Sequence, residues 1–324
     1  MKSLITIVFA GLLSATAYTQ EDSGTVTNVG IVSVTEKDGN TIVSVVPEGE
    51  IVIEENLDTT RIKIGKKGIV IIEGEKGTQV NIEKLDAPEA PDAPEEFDEF
   101  EDFDEMDEDF DSKKHEKFKP HWAGFEIGLN NYVNSDMSMS LDNTMDFMDL
   151  NTGRSWNINI NVMEYGFGLG TDKIGLVTGL GFEMSNYHFD NNNTIAKVGG
   201  LIQPVALSYP DMQKNRLQTT YLRAPLLLEF QIPAGKKRIY LSAGPIAGVK
   251  LGSNTKIVYK EGGDKQKVKD KDDFNLTSLR YGFTARAGYR DLRLFANYYM
   301  TPLFEANKGP ELYPFSVGLT LVEF

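Results

Sequence analysis

The sequence predicts an all-β chain: an eight-stranded antiparallel up-and-down transmembrane β-barrel, preceded by a small β-rich periplasmic region and a disordered acidic linker. Three observations predict it. In the stretch from Ser278 to Phe304, Leu279, Tyr281, Phe283, Ala285, Ala287 and Tyr289 alternate with Arg280, Gly282, Thr284, Arg286, Gly288 and Arg290, and the alternation resumes at Leu292 after an Arg290-Asp291 turn. A period of two is the signature of a strand, and each arm is long enough to cross a bilayer when tilted, which takes roughly 9 to 11 residues. The second face of this hairpin carries arginines and glycines, where a soluble core would be apolar. Finally, eight such runs follow Lys119, and the connections between them alternate long and short, as in an outer-membrane barrel with short periplasmic turns.

Taken in order, Met1 to Gln20 reads as a secretory signal, with Lys2 for charge, Ile5 to Leu13 as the apolar stretch and Ala15-Thr16-Ala17 as the cleavage site. Residues 1–17 are therefore expected to be removed. The chain has no cysteine, which excludes a disulfide framework, a thiolate metal site and lipoprotein processing. Residues 18–85 hold six strand-like runs, TVTNVGIVSVT, TIVSVVP, EIVIEE, TRIKIG, GIVIIEG and TQVNIEK, divided by turn signals such as Lys37-Asp38-Gly39-Asn40. A sheet this small is marginal alone.

Residues 86–118 change character. Asp86 to Asp111 holds fifteen acids and no lysine or arginine, so the whole formal charge of −15 resides there and the rest of the chain is neutral in sum. Dense like charge and an Ala-Pro repeat predict a stretched, disordered spacer, punctuated by Phe97, Phe100, Phe103, Met106 and Phe110. An acidic-aromatic docking motif and a loose Ca²⁺ chelator are the alternatives to a plain spacer; the central glycine of an EF-hand loop is absent. A neutral body also argues against nucleic acid, which needs a concentrated basic surface.

In residues 119–324 the strands are expected at Trp122 to Asn134, Ser155 to Gly170, Ile174 to Phe189, Thr220 to Ile232, Ile239 to Gly252, Leu279 to Arg290, Leu292 to Phe304 and Tyr313 to Phe324. Lipid should meet Phe125 and Ile127, Leu176 to Met184 at every second position, and Leu222 to Phe230 likewise, because a lysine or arginine facing lipid at mid-depth costs about 2–4 kcal/mol. The second strand switches phase near Met163-Glu164, which predicts a β-bulge. An even strand number puts both ends of the barrel in the periplasm.

The inward positions then hold Glu126, Glu183, Arg223, Glu229, Lys250, Arg280, Arg286 and Arg293. Eight strands enclose only enough room for their own side chains, so these charges predict a salt-bridged plug in preference to a solute path. Acyl-transfer chemistry would need a histidine beside a nucleophile. Of three histidines, His115 is in the linker, His121 opens the first strand, and His188 has Ser185 and Asp190 on the same strand end, which makes no triad. No enzyme, cofactor or metal site is expected. In the loops, Met137, Met139, Met145 and Met148 form an adaptable apolar set for the barrel mouth or a partner. The loop Asn254 to Asn275 mixes Lys256, Lys260, Lys265, Lys267, Lys269 and Lys271 with Asp270, Asp272 and Asp273, and is read as solvated rather than as a lipopolysaccharide contact.

The segments HWAGFEIGLNNYVN, MDLNTGRSW, IGLVTGLGFEMSNYHFDNN, YLRAPLLLEF and YMTPLFEANKGPELYPFSVGLTL resemble the outer-membrane β-barrel domain family of Bacteroidota, the PorT-like group, and DTTRIKIGKKGIVIIEG resembles the region often attached before it. The resemblance implies a bacterial outer-membrane location and an accessory role in envelope assembly or secretion, without catalytic residues. Expected partners are outer-membrane lipid and lipopolysaccharide, the barrel-assembly machinery, and a periplasmic protein reached through the N-terminal region or the linker. A narrow passive pore is the rival reading. The terminal Phe324 resembles an aromatic insertion signal but falls out of phase with Phe315, Val317, Leu319 and Leu321.

Overall fold

The computed structural model describes residues 118–322 except 236, together with seven strand segments between residues 26 and 84. The signal segment, nearly all of the acidic linker and Phe324 lie outside the described residues.

The N-terminal sheet is an antiparallel meander of β1 (Val26–Val29), β2 (Val32–Lys37), β3 (Asn40–Val45), β4 (Gly49–Glu55), β5 (Thr59–Ile64), β6 (Lys67–Gly74) and β7 (Gly77–Lys84), paired in sequence order. The first expected run divides into β1 and β2, which pair Val26 with Thr35 and Val29 with Val32. Register aligns Val43, Ile51 and Ile64 across three strands, the apolar alternation that made these segments legible as strands.

The second body contains β8 (Gly124–Val133), β9 (Trp156–Gly168), β10 (Ile174–His188), β11 (Asn193–Val198), β12 (Leu201–Ala206), β13 (Met212–Ala234), β14 (Lys237–Glu261), β15 (Asp264–Lys271), β16 (Leu279–Tyr289), β17 (Leu292–Tyr299) and β18 (Tyr313–Val322). Eight of them close a ring in the order β13, β10, β9, β8, β18, β17, β16, β14 and back to β13, every pair antiparallel. β11 and β12 form a separate hairpin, and β15 extends the sheet beyond β14. The connections β9–β10, β13–β14 and β16–β17 gather the short turns at one end, here the turn end; the long connections define the loop end.

Outward alternation is plainest on β16, where Leu279, Tyr281, Phe283 and Ala285 are exposed and the residues between them buried. Leu226, Leu228 and Phe230 on β13, Leu292 and Leu294 on β17, and Val317 and Leu319 on β18 continue the exposed apolar band. Phe125, Ile158, Ile160 and Phe182 keep the outward register and are buried. Arg290 closes the β16–β17 turn with φ +54°, the left-handed geometry a two-residue hairpin requires.

Three boundaries differ from expectation. The bulge on β9 falls at Val162, because Leu180 pairs with Met163 and Gly181 with Asn161. β13 and β14 run well past the expected ends, so most of the expected loop Asn254 to Asn275 is a hairpin turning at Gly262 and Gly263, both with positive φ. β17 stops at Tyr299, and Phe304, expected in that strand, packs over the barrel mouth.

Candidate functional site: a filled barrel interior

The inward face of the ring is filled in three layers. The middle layer is ionic. Register places Glu126 opposite Asn159 and Asn159 opposite Glu183, so both carboxylates face the same lumen at one height. Arg286 donates both terminal nitrogens to Glu126, the Nη2 to Oε2 bond being 3.3 Å. Arg223 bridges the two acids, with Nη2 3.0 Å from Glu126 Oε2 and Nη1 3.5 Å from Glu183 Oε2. Arg280 Nη2 lies 2.7 Å from Glu183 Oε1, and the Tyr299 hydroxyl donates to Glu183 Oε2 at 2.5 Å. Asn159 and Asn161 take up further polar groups of Glu126 and Arg223. All five charged side chains are at most 5 % exposed, and burial at that depth is tolerable only because each charge has opposite partners and added hydrogen bonds.

Aromatic faces sandwich the cations. Arg223 and Arg286 lie 5.0 and 4.2 Å over the Trp122 ring, and Arg280 sits 3.6 Å from Tyr221 and 3.8 Å from Tyr299, a favourable placement for a desolvated guanidinium.

The other expected members of the network stand apart. Among the described residues Glu229 is held by no arginine: His121 Nδ1 is 2.7 Å from its Oε1, and Gln231 donates to the same oxygen at 2.7 Å. Lys250 reaches the loop end, where its ammonium donates to the carbonyls of Leu276 at 2.8 Å and Asp273 at 3.2 Å. Arg293 is half-buried near the turn end, paired in register with Gly288. The expectation of one eight-member charge network is therefore corrected to five, because strand register separates the rest by height.

The layer at the turn end is a strap that sequence reasoning missed. Phe118 to Trp122 enters the barrel before β8 begins, so Trp122, expected as the first residue of that strand, is 1 % exposed inside the lumen. Phe118, Pro120 and Trp122 alternate like a strand and occupy space left by inward glycines. A Cβ on Gly175 would stand 2.5 Å from Phe118, one on Gly166 2.8 Å from Pro120, and one on Gly179 2.6 Å from Trp122. The strap's backbone is held by wall side chains: Glu164 Oε2 accepts from the amides of Trp122 and Ala123 at 2.8 Å each, Gln231 donates to the Lys119 carbonyl at 2.5 Å, and Asn161 donates to the Trp122 carbonyl at 3.0 Å. His121 stacks on Tyr240 with ring centroids 4.3 Å apart. The only sequence signal for the strap was the column of small inward residues. At the same end Arg238, near the start of β14, clips the β9–β10 turn, with Nη2 2.5 Å from Asp172 Oδ2, and this hydrogen bond holds the Asp172 carboxyl below its usual range.

At the loop end an apolar lid closes the lumen. Tyr132, Tyr187 and Leu217 on the wall pack with Met148, Phe189, Ile195, Ile202, Phe274, Leu276, Leu303, Phe304 and Leu312, drawn from all four long connections. Tyr132 donates its hydroxyl to the Met148 carbonyl and stacks on Tyr187 at 5.7 Å. Of the four loop methionines, Met148 is the one seated in the lid, while Met137 and Met139 are exposed. Lys197 on β11 bonds Asp272 and Asp273 at 2.6 Å each, tying two connections together.

Ser185 and His188 take opposite faces of β10. The serine hydroxyl donates to Glu183 at 3.2 Å inside the lumen, while His188 shares the outward register of Arg216. Among the described residues no cluster of metal-ligating side chains occurs.

A family model described as an outer membrane protein beta-barrel domain matches residues 121–305. No curated protein and no solved structure matches the chain.

Proposed function

The chain belongs to the outer membrane protein beta-barrel domain family, and from that premise we propose that this integral protein of the bacterial outer membrane is a closed, non-catalytic scaffold rather than a channel. The observation that carries the reading is Trp122: one residue of the strap lies under two arginines of the ionic layer, so strap and charges obstruct the lumen together. An eight-stranded ring leaves room for packed side chains and little else.

With eight strands, the strap and the end of β18 share the turn end. The orientation that fits is turns in the periplasm, with both termini there and the lid facing outward. The N-terminal sheet and the acidic segment then stand where an envelope protein could be captured, in keeping with the resemblance to the PorT-like group and an accessory role in assembly or secretion. Contacts with the barrel-assembly machinery, with lipid and with lipopolysaccharide follow from residence in that membrane. No cofactor or nucleic acid enters this reading.

One observation favours a narrow, anion-selective pore instead: three arginines meet two glutamates in the ionic layer. Planar-bilayer recording separates the two. The purified full chain is expected to give no steady single-channel steps, and reproducible steps would overturn the closed reading. Pull-down from native envelopes with and without Asp86 to Asp111 tests the acidic segment; loss of specific partners on deletion supports docking, and unchanged partners support a spacer.

A further inference from the structure

The lysines of the β14–β15 hairpin are sorted onto one face by a single irregularity. On β14, Leu241 and Val249 point outward and Ser242 and Lys250 inward. Tyr221 pairs with Lys250 but Thr220 with Gly252, so Leu251 is bulged, and beyond it the even-numbered positions turn outward. Lys256 and Lys260 thereby join the outward face. Their register partners on β15 are Lys269 and Lys265, while Lys271 and Lys267 stand opposite Asn254 and Val258 on the same side. On the neighbouring strand Arg216 pairs with Lys256 and Lys214 with Val258. The acids within the two strands take the other face, where Asp270 pairs with Thr255 and Asp264 with Glu261; Asp211, just before β13, lies 3.7 Å from the Lys260 ammonium.

Edge protection alone does not explain this. An edge strand is guarded by charge of either sign on either face, whereas here the signs are segregated. The cations recur every second residue, about 7 Å apart along a strand, which makes a ladder and not a pocket. It begins with Lys271 opposite Asn254, five positions past Val249, the last exposed apolar residue on β14 before the bulge. Lys265, Lys267 and Lys271 are exposed, and Arg216 and Lys256, at the base of the ladder, are buried.

We propose that this outward ladder, Lys265, Lys267, Lys269 and Lys271 with Lys260 beside them, binds the phosphorylated headgroups of outer-leaflet glycolipid, several side by side, and so fixes the depth of the barrel at its loop end. Phosphate oxygens suit an ammonium ladder as point-charge partners, and a face just beyond the lipid-covered band meets headgroups first. The inference rests on the orientation given under Proposed function, with loops outermost.

The test uses the full chain in detergent, with lipopolysaccharide carrying phosphorylated lipid A and the same material after enzymatic dephosphorylation, bound lipid being counted by native mass spectrometry. Retention of the phosphorylated form is expected to fall about tenfold or more in the K265Q/K267Q/K269Q/K271Q variant, with the heat-modifiable folded band unchanged. The dephosphorylated form should bind both proteins equally weakly. Equal retention by variant and parent overturns the inference, as does full displacement by millimolar inorganic phosphate, which would mark a site for the free ion. If deleting Asp86 to Asp111 strengthens retention in the parent alone, the chain's own acidic segment competes with lipid for the ladder, and the inference stands. Labelling of the hairpin lysines on intact cells by a membrane-impermeant amine reagent separates the two failures. No labelling refutes the orientation; labelling without lipid retention refutes the ladder.

Discussion

Glu126 and Arg286, 160 positions apart in the chain, meet in a two-pronged ion pair at the centre of the barrel. β8 and β16 are not neighbours in the ring, so this pair spans the lumen. Truncating the carboxylate with Glu126→Ala leaves two buried guanidinium groups short of an anion, with an expected loss of about 3–5 kcal/mol. Urea unfolding in detergent measures it. Arg286→Gln should cost less, because Arg223 still pairs with Glu126.

Membrane assembly should discriminate between the two faces. Leu180→Arg puts a cation on the outward register of β10, at about 2–4 kcal/mol near mid-depth, and is expected to block insertion. Arg286→Gln should still insert. Equal insertion of both proteins, scored by heat-modifiable mobility, would overturn the assigned register.

The strap can be evicted from its socket. Gly175→Leu fills the space of the Phe118 ring, and overpacking of this kind costs about 1–3 kcal/mol. Faster tryptic cleavage at Lys119 in the folded protein is the expected readout. An unchanged rate would mean that the strap does not depend on this glycine.

For the lid, Met148→Ala removes a fully buried side chain from the mouth cluster, a change worth about 2–5 kcal/mol in a packed core. Because the lid is built from loops, the effect should appear as accelerated proteolysis of the Ser135 to Arg154 connection, with the barrel itself still folded.

Acid should loosen the clip between Asp172 and Arg238. The folded carboxyl is held below its unfolded range by the arginine, so its stabilisation is present above the unfolded value of about 3.9 and is lost as pH falls through the lower folded value. The pair is partly solvated, so the effect is small. The carboxyl carbon shift of Asp172 should titrate below that of a free aspartate, and Asp172→Asn should remove this contribution.

How far the sequence carries can be judged from particular residues. Leu279 to Tyr289 was legible because lipid penalises a misplaced charge at every second position, so the pattern is enforced locally. The ionic layer was half legible: strand phase identifies Glu126 and Arg286 as inward, but the separate heights of Glu229 and Lys250 depend on register across several strands. Phe118 to Trp122 alternates over only five residues, too short a run to distinguish a strap inside the barrel from the start of a strand. Its meaning lies in Gly166, Gly175 and Gly179, more than forty positions away, whose missing side chains create the space. The lysine ladder was hidden by one bulged residue, Leu251, since a parity count carried through it assigns the wrong face.

The ring closes where β18 meets β8, with Tyr313 beside Val133. That seam joins the first and last strands of the barrel, so it has the largest loop-closure cost and cannot form until the rest of the sheet exists. Until it closes, Glu126 on β8 remains wet and has not met Arg223 and Arg286 on the far strands. The buried charges thereby act as a check on completion: a barrel halted one strand short keeps its acids and arginines in water, with little to hold it shut.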